Sequence, residues 1–451
     1  MDTRPLRIAP FRRLLTGQGT AFIGSMFTQV AVPVQVYAIS HSSLLVGLVG
    51  GVGLVPIVVF GLWGGAVADV VDRRALYLWS SVGAWLVTVG LLAQTLAGMS
   101  SVGLMLGLVF AQSGLFAISS STRGAIVPRL VPLELVPASN ALFQTVGNVG
   151  NVVGLLAAGV LVALPHGFAY AYTVDAVLFF AALYAGFRLP PLPAEGPTEL
   201  PGLRSVVEGL AFISRRPVLV MSFGVDIVAM VLAMPWSLFP AVAHARFHGT
   251  IGPLYASIAI GGLLVGLTSG WIGRVRRQGV AITAAIVCWG GFVALAGLAH
   301  QLWLVVVLLA LAGGADLISA VFRQTILQSY APDEMRGRMQ GVFTAVVSGG
   351  PRLGYLRAGV VASVAGTTFS WVSGGIACMI VVVVAAVAVR PFWNYDARAR
   401  RRGVGDAAGE DPGEDAGEDP APATAEGAAP VVAEAWITGA ATADGPDAAD
   451  R

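Results

Sequence analysis

Residues 43–74 read SLLVGLVGGVGLVPIVVFGLWGGAVADVVDRR. From Leu44 to Val67 no side chain is charged, and the run then ends in a tight group of charges, Asp69, Asp72, Arg73 and Arg74. A helix needs about 20 apolar residues to cross a bilayer core, so this stretch is long enough to cross once. Backbone N–H and C=O groups in lipid must be satisfied within the segment, which leaves helices or closed barrels. A run without polar alternation excludes the barrel strand.

The rest of the chain repeats the pattern. Of its 451 residues 56% are hydrophobic and 12% are charged, with a mean hydropathy of +0.77, whereas a soluble domain carries about 25% charged residues. Twelve spans are expected, at 17–39, 43–67, 76–98, 101–121, 136–163, 167–188, 217–241, 252–273, 279–299, 302–321, 340–364 and 367–389. The chain has 27 arginines and no lysine, and nearly all fall on alternate links, among them Arg73 and Arg74, Arg123 and Arg129, Arg215 and Arg216, Arg276 and Arg277, Arg336 and Arg338, Arg398 to Arg402. The opposite links, around Ser42, Gly98, Pro165, His248, His300 and Gly366, hold one arginine, Arg246. An excess of arginine marks cytoplasmic loops, so both termini are expected in the cytoplasm and the protein in the inner (plasma) membrane.

Two cysteines, Cys288 and Cys378, lie inside spans and offer no metal spacing or disulfide framework. His244 and His248 stand four apart but make an incomplete ligand set, so no metal or cofactor is expected. A membrane-embedded enzyme would need histidine or a nucleophile–base pair at depth. The depth residues here are scattered acids and an arginine, and no enzyme activity or nucleic-acid partner is expected.

The two halves resemble one another at a shift of about 200 residues: Arg123 and Arg323, Pro132 and Pro332, Glu134 and Glu334, Phe143 and Phe343, Gly150 and Gly350, Gly154 and Gly354. Duplicated halves of like orientation are a transporter architecture. The organisation read from this is a cytoplasmic N-terminus (1–16), a six-helix half (17–188), a proline-containing cytoplasmic link (189–216), a second six-helix half (217–390) and an acidic tail (391–451). The tail is rich in Ala, Gly, Pro, Asp and Glu and is expected to be disordered. Glycines four apart in spans 2, 5, 8 and 11 (Gly47, Gly51, Gly61 and Gly65; Gly150 and Gly154; Gly262, Gly266 and Gly270; Gly350 and Gly354) permit close helix approach. They are expected where the halves meet.

The link Gly64 to Arg74 resembles the signature loop of the major facilitator superfamily. Gly65, Asp69, Arg73 and Arg74 match it, Val70 stands where an arginine is usual, and Asp72 replaces a common glycine. Phe11-Arg12-Arg13-Leu14-Leu15, Pro128-Arg129-Leu130-Val131-Pro132 and Pro332-Asp333-Glu334-Met335-Arg336-Gly337-Arg338 look like the subgroup of enterobactin exporters and macrolide efflux proteins. The resemblance implies an all-α membrane protein of twelve helices in two pseudo-symmetric halves. It implies a cytoplasmic gate at Gly65, Asp69, Asp72, Arg73 and Arg74, mirrored by Gly270, Glu334, Arg336 and Arg338. It also implies export of a small organic molecule (drug, macrolide or siderophore-like) in exchange for protons, by a monomer in the lipid bilayer. An importer or uniporter on the same fold, or a transporter-derived sensor, are the alternatives. One departure is that Leu155 takes the place of the proline in the Gly-Pro pair of family antiporters, and the pair appears as Gly350-Pro351 in span 11.

Ionisable residues at membrane depth are functional candidates. Asp226 lies near the middle of span 7, Asp316 in span 10 and Arg352 halfway along span 11, with Asp175 in the outer part of span 6. The expectation is that Asp226 or Asp316 takes up a proton and that Arg352 is its charge partner. Gln29 and Gln35 of span 1 and Gln144 and Asn148 of span 5 are the candidates to line a substrate cavity. Trp236 and Phe239 are read as interfacial anchors.

Overall fold

The computed structural model describes residues 2–193, 211–268, 270, 275–330, 336–393 and 395; for 62–66, 68–70, 328, 336–345, 348, 390 and 391 it describes the backbone alone. The tail beyond Tyr395, most of the central link and Glu334 lie outside the described residues.

Among the described residues, twelve helical passes run between two ends. They are α1 (Ala9–Ser40), α2 (Ser43–Val52) continued by α3 (Leu54–Val70), α4 (Arg73–Leu96), α5 (Val102–Leu130), α6 (Val136–Val162) and α7 (Gly167–Phe187) in the first half. The second half has α8 (Pro217–Ala233) continued by α9 (Phe239–Arg246), α10 (Gly252–Leu267), α11 (Gln278–Leu298), α12 (Leu302–Tyr330), α13 (Arg336–Ala365) and α14 (Thr367–Ala388). Ten of these passes are long and apolar enough to cross a membrane. Of the other two, α10 is apolar but has 16 residues, and α13 has the length but carries Arg352 and Arg357 within its apolar part.

Polar side chains start several helices. Ser42, Asp72 and Ser101 accept hydrogen bonds from the amides of Leu45, Ala75 and Leu104 at 3.4, 3.1 and 3.3 Å, satisfying first-turn donors that have no helical partner. Outward faces are apolar instead of polar: Val58, Val160, Phe180, Leu295, Val384 and Val387 are all exposed. That is the arrangement lipid selects, because it removes the need to hide apolar surface.

Two passes expected to be continuous are broken. The second pass stops at Val52 and resumes at Leu54. Pro56 has no N–H for the carbonyl of Val52, and the Gly53 amide turns to the carbonyl of Gly50 at 3.2 Å. The seventh pass breaks at Met234, one residue before Pro235, for the same reason.

The halves repeat one another in contact pattern. Packing of α3 and α4 on α5 is mirrored by α10 and α11 on α12, and that of α1 on α6 by α8 on α13. The glycines four apart act mostly within the halves. A Cβ on Gly154 would meet Met26 of α1, and one on Gly354 would meet the backbone of Met230 in α8. The halves meet along two seams, α2 on α13 and α6 on α10. At the first, a Cβ on Gly47 would stand 2.7 Å from the carbonyl oxygen of Tyr355 and 3.0 Å from the Cα of Gly359. At the second, the backbones of Gly159 and Gly252 touch. Of the glycines expected at the interface, Gly47 and Gly51 are there; Gly159, Gly252 and Gly359 complete it. Backbone approach this close leaves no room for a side chain, so these positions seal one end of the molecule, the end of the histidine-bearing links.

Candidate functional site

Between the halves, below those seams, lies a cavity of about 490 Å³. Its wall is built by α1 (Phe22, Ser25, Met26, Thr28, Gln29), the α2–α5 pair (Val49, Gly50, Gln112, Ser113, Phe116) and Asn151 of α6. The second half adds Trp236, Ser237, Tyr255, Pro351, Arg352 and Tyr355. Both breaks serve this site. The interruption at Met234–Pro235 turns Trp236 inward, where its ring stacks on Tyr355 (centroids 6.1 Å apart, planes 11°) and meets Tyr255 edge-on at 5.5 Å. Trp236 is therefore a cavity residue and not an interfacial anchor. Phe239 is fully buried between Tyr255 and Trp371. In both cases the proline break rotates the chain away from lipid.

The cavity is mainly apolar and aromatic with a few separated polar groups, the usual composition of a small-molecule site. Of the four residues expected to line it, Gln29 does. Gln35 does not: it is buried, accepts a hydrogen bond from the Tyr172 hydroxyl at 2.7 Å and donates to Thr95 at 3.1 Å, tying α1 to α4 and α7. Gln144 and Asn148 sit one turn apart on α6, 3.4 Å from each other, and are absent from the wall; Asn151, less than a turn further along, is on it.

The acids at depth are held in two separate places. Asp226 on α8 is 1% exposed and its Oδ1 lies 2.5 Å from Nη1 of Arg323 on α12. Asp316, two turns before Arg323 on the same helix, is 3.9 Å from the other guanidinium nitrogen and keeps 43% of its side chain exposed. Residues seven apart share a helical face, so one arginine serves both acids. The charge partner of Asp226 is thus Arg323 and not Arg352, which stands on the cavity wall one helix away. The expected tenth span, 302–321, leaves Arg323 in the link that follows. The signal that could have found it is the Asp316–Arg323 spacing, extended by the length of α12, which runs to Tyr330.

Asp175 is remote from that triad. It is fully buried on α7, and accepts hydrogen bonds from Thr28 at 2.5 Å and Thr88 at 3.4 Å. Thr28 is itself on the cavity wall, so one hydroxyl separates Asp175 from the cavity.

At the arginine-rich end, Asp72 caps α4. Arg73 donates to the carbonyl of Ala125 at 3.3 Å, and Arg74 donates to that of Phe187 at 2.7 Å while lying over its ring. These contacts stay within the first half. The side chain of Asp69 falls outside the described residues. In the mirrored loop a Cβ on Gly270 would meet nothing within 4 Å, and the side chains of Arg336 and Arg338 fall outside the described residues.

Residues 2–406 match the family described as transmembrane secretion effector. The chain belongs to that major facilitator family. Its members are transporters, not enzymes, and this one is a multi-pass membrane protein. The enterobactin exporter EntS of Shigella boydii serotype 4 (strain Sb227) is 29% identical over 360 residues, which cover 74% of this chain and 81% of that one. EntS of Escherichia coli O139:H28 (strain E24377A / ETEC) shows the same identity and coverage. Among solved structures, the nucleoside transporter NupG superposes with a TM-score of 0.65 at 14% identity, covering 86% of this chain and all of that one (100%). A bacterial homologue of the human lysosomal transporter Spinster, in an inward-facing unoccupied conformation, gives 0.65 at 17% identity, over 90% and 99% of the two chains. At these identities the likeness is one of fold.

Proposed function

We propose that this secretion-effector transporter exports a small organic molecule by alternating access, coupled to proton antiport, as a monomer in the bacterial inner membrane with both termini in the cytoplasm. The observation that carries the reading is a central cavity sealed at one end by glycine backbone contacts between two pseudo-symmetric halves. Rocking of such halves about a fixed site would break the seams α2–α13 and α6–α10 and close the other end. Glycine suits that role, because the contact is backbone on backbone and re-forms without side-chain repacking. The positive-inside rule supports a cytoplasmic position for the arginine-rich end, opposite the glycine seams.

For coupling, Asp226, Asp316 and Arg323 form a unit with two acids and one base at membrane depth. A proton on either aspartate would release Arg323 toward the other, which gives two arrangements of the same net charge that differ in where the proton and the guanidinium sit. The gate role of Gly65, Asp69, Asp72, Arg73 and Arg74, with Gly270, Glu334, Arg336 and Arg338, rests on the family resemblance and belongs to the proposal.

The test is a drug and siderophore sensitivity panel on a strain lacking the gene, followed by accumulation assays with and without a protonophore. Export predicts higher accumulation in the deletion strain and abolition of the difference by the protonophore. Lower accumulation in the deletion strain would instead make the chain an importer.

A further inference from the structure

We infer that the central cavity selects organic anions with an aromatic body, and that Arg352 is the residue that reads their charge. The inference rests on the transporter reading above and concerns what the cavity accepts.

The second half places four described arginines at or near membrane depth, and three are accounted for by the fold. Arg323 is held by Asp226 and Asp316. Arg357 donates to the carbonyl of Leu232, beside the break in the seventh pass, at 3.0 Å and to that of Ser370 in α14 at 3.1 Å. Arg246 donates to the carbonyls of Gly297 and Ala299 and to the Thr368 hydroxyl, closing the end of α11. Arg352 differs. It stands on the cavity wall, and among the described residues no carboxylate lies within salt-bridge distance of it.

The wall opposite is shaped to admit this guanidinium. A Cβ on Gly53 would lie 2.5 Å from Nη1 of Arg352 and 2.8 Å from the Ser113 hydroxyl oxygen. Gly53 is the residue at which the second pass breaks, so the interruption of α2 and α3 leaves a gap that Arg352 fills from across the cavity. The cation and a hydroxyl donor thus converge on one spot. A guanidinium with five donors and no acceptor suits a carboxylate, sulfonate or phenolate oxygen pair. Next to it, Tyr355 stacked on Trp236, with Tyr255 edge-on, offers a flat aromatic face. A lone charge at this depth is costly unless its counter-charge arrives. The ligand would supply it.

The test uses three fluorescent probes that share one ring and chain and differ in charge: pyrenebutyrate, pyrenebutanol and pyrenebutylammonium. Energy transfer from tryptophan to pyrene is titrated on the purified full chain in detergent, with empty micelles subtracted. A charge-assisted contact predicts that pyrenebutyrate binds about tenfold or more tighter than the alcohol. Arg352→Gln should shrink the butyrate-over-alcohol ratio to about twofold or less, and Arg352→Lys should keep part of it. Equal affinity for all three probes, no saturable binding of the anion, or an unchanged preference in Arg352→Gln would each overturn the inference. Cell accumulation separates this from the transporter reading. Export of the alcohol or the ammonium compound without the butyrate defeats anion selection and leaves transport standing; export of none by a chain that reaches the membrane counts against both.

Discussion

Asp226→Asn tests whether the Asp226–Arg323 pair is a designed weak point or a fixed strut. Both side chains are almost sealed, at 1% and 4% exposure, and stand 2.5 Å apart. Removing one partner of such a pair leaves a buried charge and costs about 3–5 kcal/mol. Here Asp316 remains 3.9 Å from the same guanidinium, and it is exposed enough to move toward it, so the expected loss lies near the lower end, about 3 kcal/mol. Replacing both members, as Asp226→Leu with Arg323→Met, removes the stranded charge and should return stability to within about 1 kcal/mol of the parent. The measurement is a denaturing-detergent titration of the purified protein, run as a double-mutant cycle, with proton-driven efflux in vesicles measured alongside. Efflux should be impaired in the single variant and stay impaired in the double, since stability is restored without the Asp226–Arg323 pair and Asp316 is left with no arginine to exchange. The reasoning is refuted if Asp226→Asn unfolds within about 0.5 kcal/mol of the parent, or if the double variant loses as much as the two singles summed. Undiminished proton coupling in the Asn variants of both Asp226 and Asp316 would defeat the coupling role by itself.

Four other outcomes follow from the same geometry. Gly159→Leu forces a side chain into a backbone contact with Gly252 and should unseat the α6–α10 seam, read as increased maleimide labelling of a cysteine placed at Ser237 from the opposite face. Asp175→Asn keeps an acceptor oxygen for Thr28 and Thr88 and should be nearly neutral in unfolding titrations, whereas Asp175→Leu strands the Thr28 hydroxyl (Thr88 keeps the Ala84 carbonyl at 3.3 Å) and should cost about 1–3 kcal/mol. Trp236→Ala removes the stacked face on Tyr355 and should weaken binding of an aromatic substrate at least tenfold by about 0.5–1.5 kcal/mol of ring pairing plus lost apolar contact, measured as competition with a pyrene probe. Deletion of residues 397–451 should leave efflux unchanged, and lost signalling without any transport would favour the sensor alternative instead.

Much of the fold is legible in linear order because lipid imposes a one-dimensional rule. Each crossing must be long, apolar and self-satisfied in hydrogen bonds, so spans, links and the repeat could be read from runs such as 43–74 and from the shift that carries Arg123 to Arg323. Capping at Ser42, Asp72 and Ser101 is equally local. The site is less legible. Gln29 faces the cavity and Gln35, less than two turns further on, does not, because α7 brings Tyr172 against one and leaves the other bare. Trp236 reads as an interfacial aromatic until the break before Pro235 turns it inward. Arg323 reads as a loop cation, and α12 runs past it.

By itself, then, the amino-acid order determined the solvent, the number of crossings, the duplication and which residues carry charge into the bilayer. Which charges meet was left to the tertiary structure: Arg323 beside Asp226, and Arg352 above Gly53 with no acid in reach among the described residues. The reason is physical. Burial in lipid acts on every residue of a span separately and so leaves a local trace, whereas an ion pair depends on the rotation and height of two helices relative to each other. Those are set by backbone contacts such as Gly47 on Gly359, made between residues about 300 positions apart.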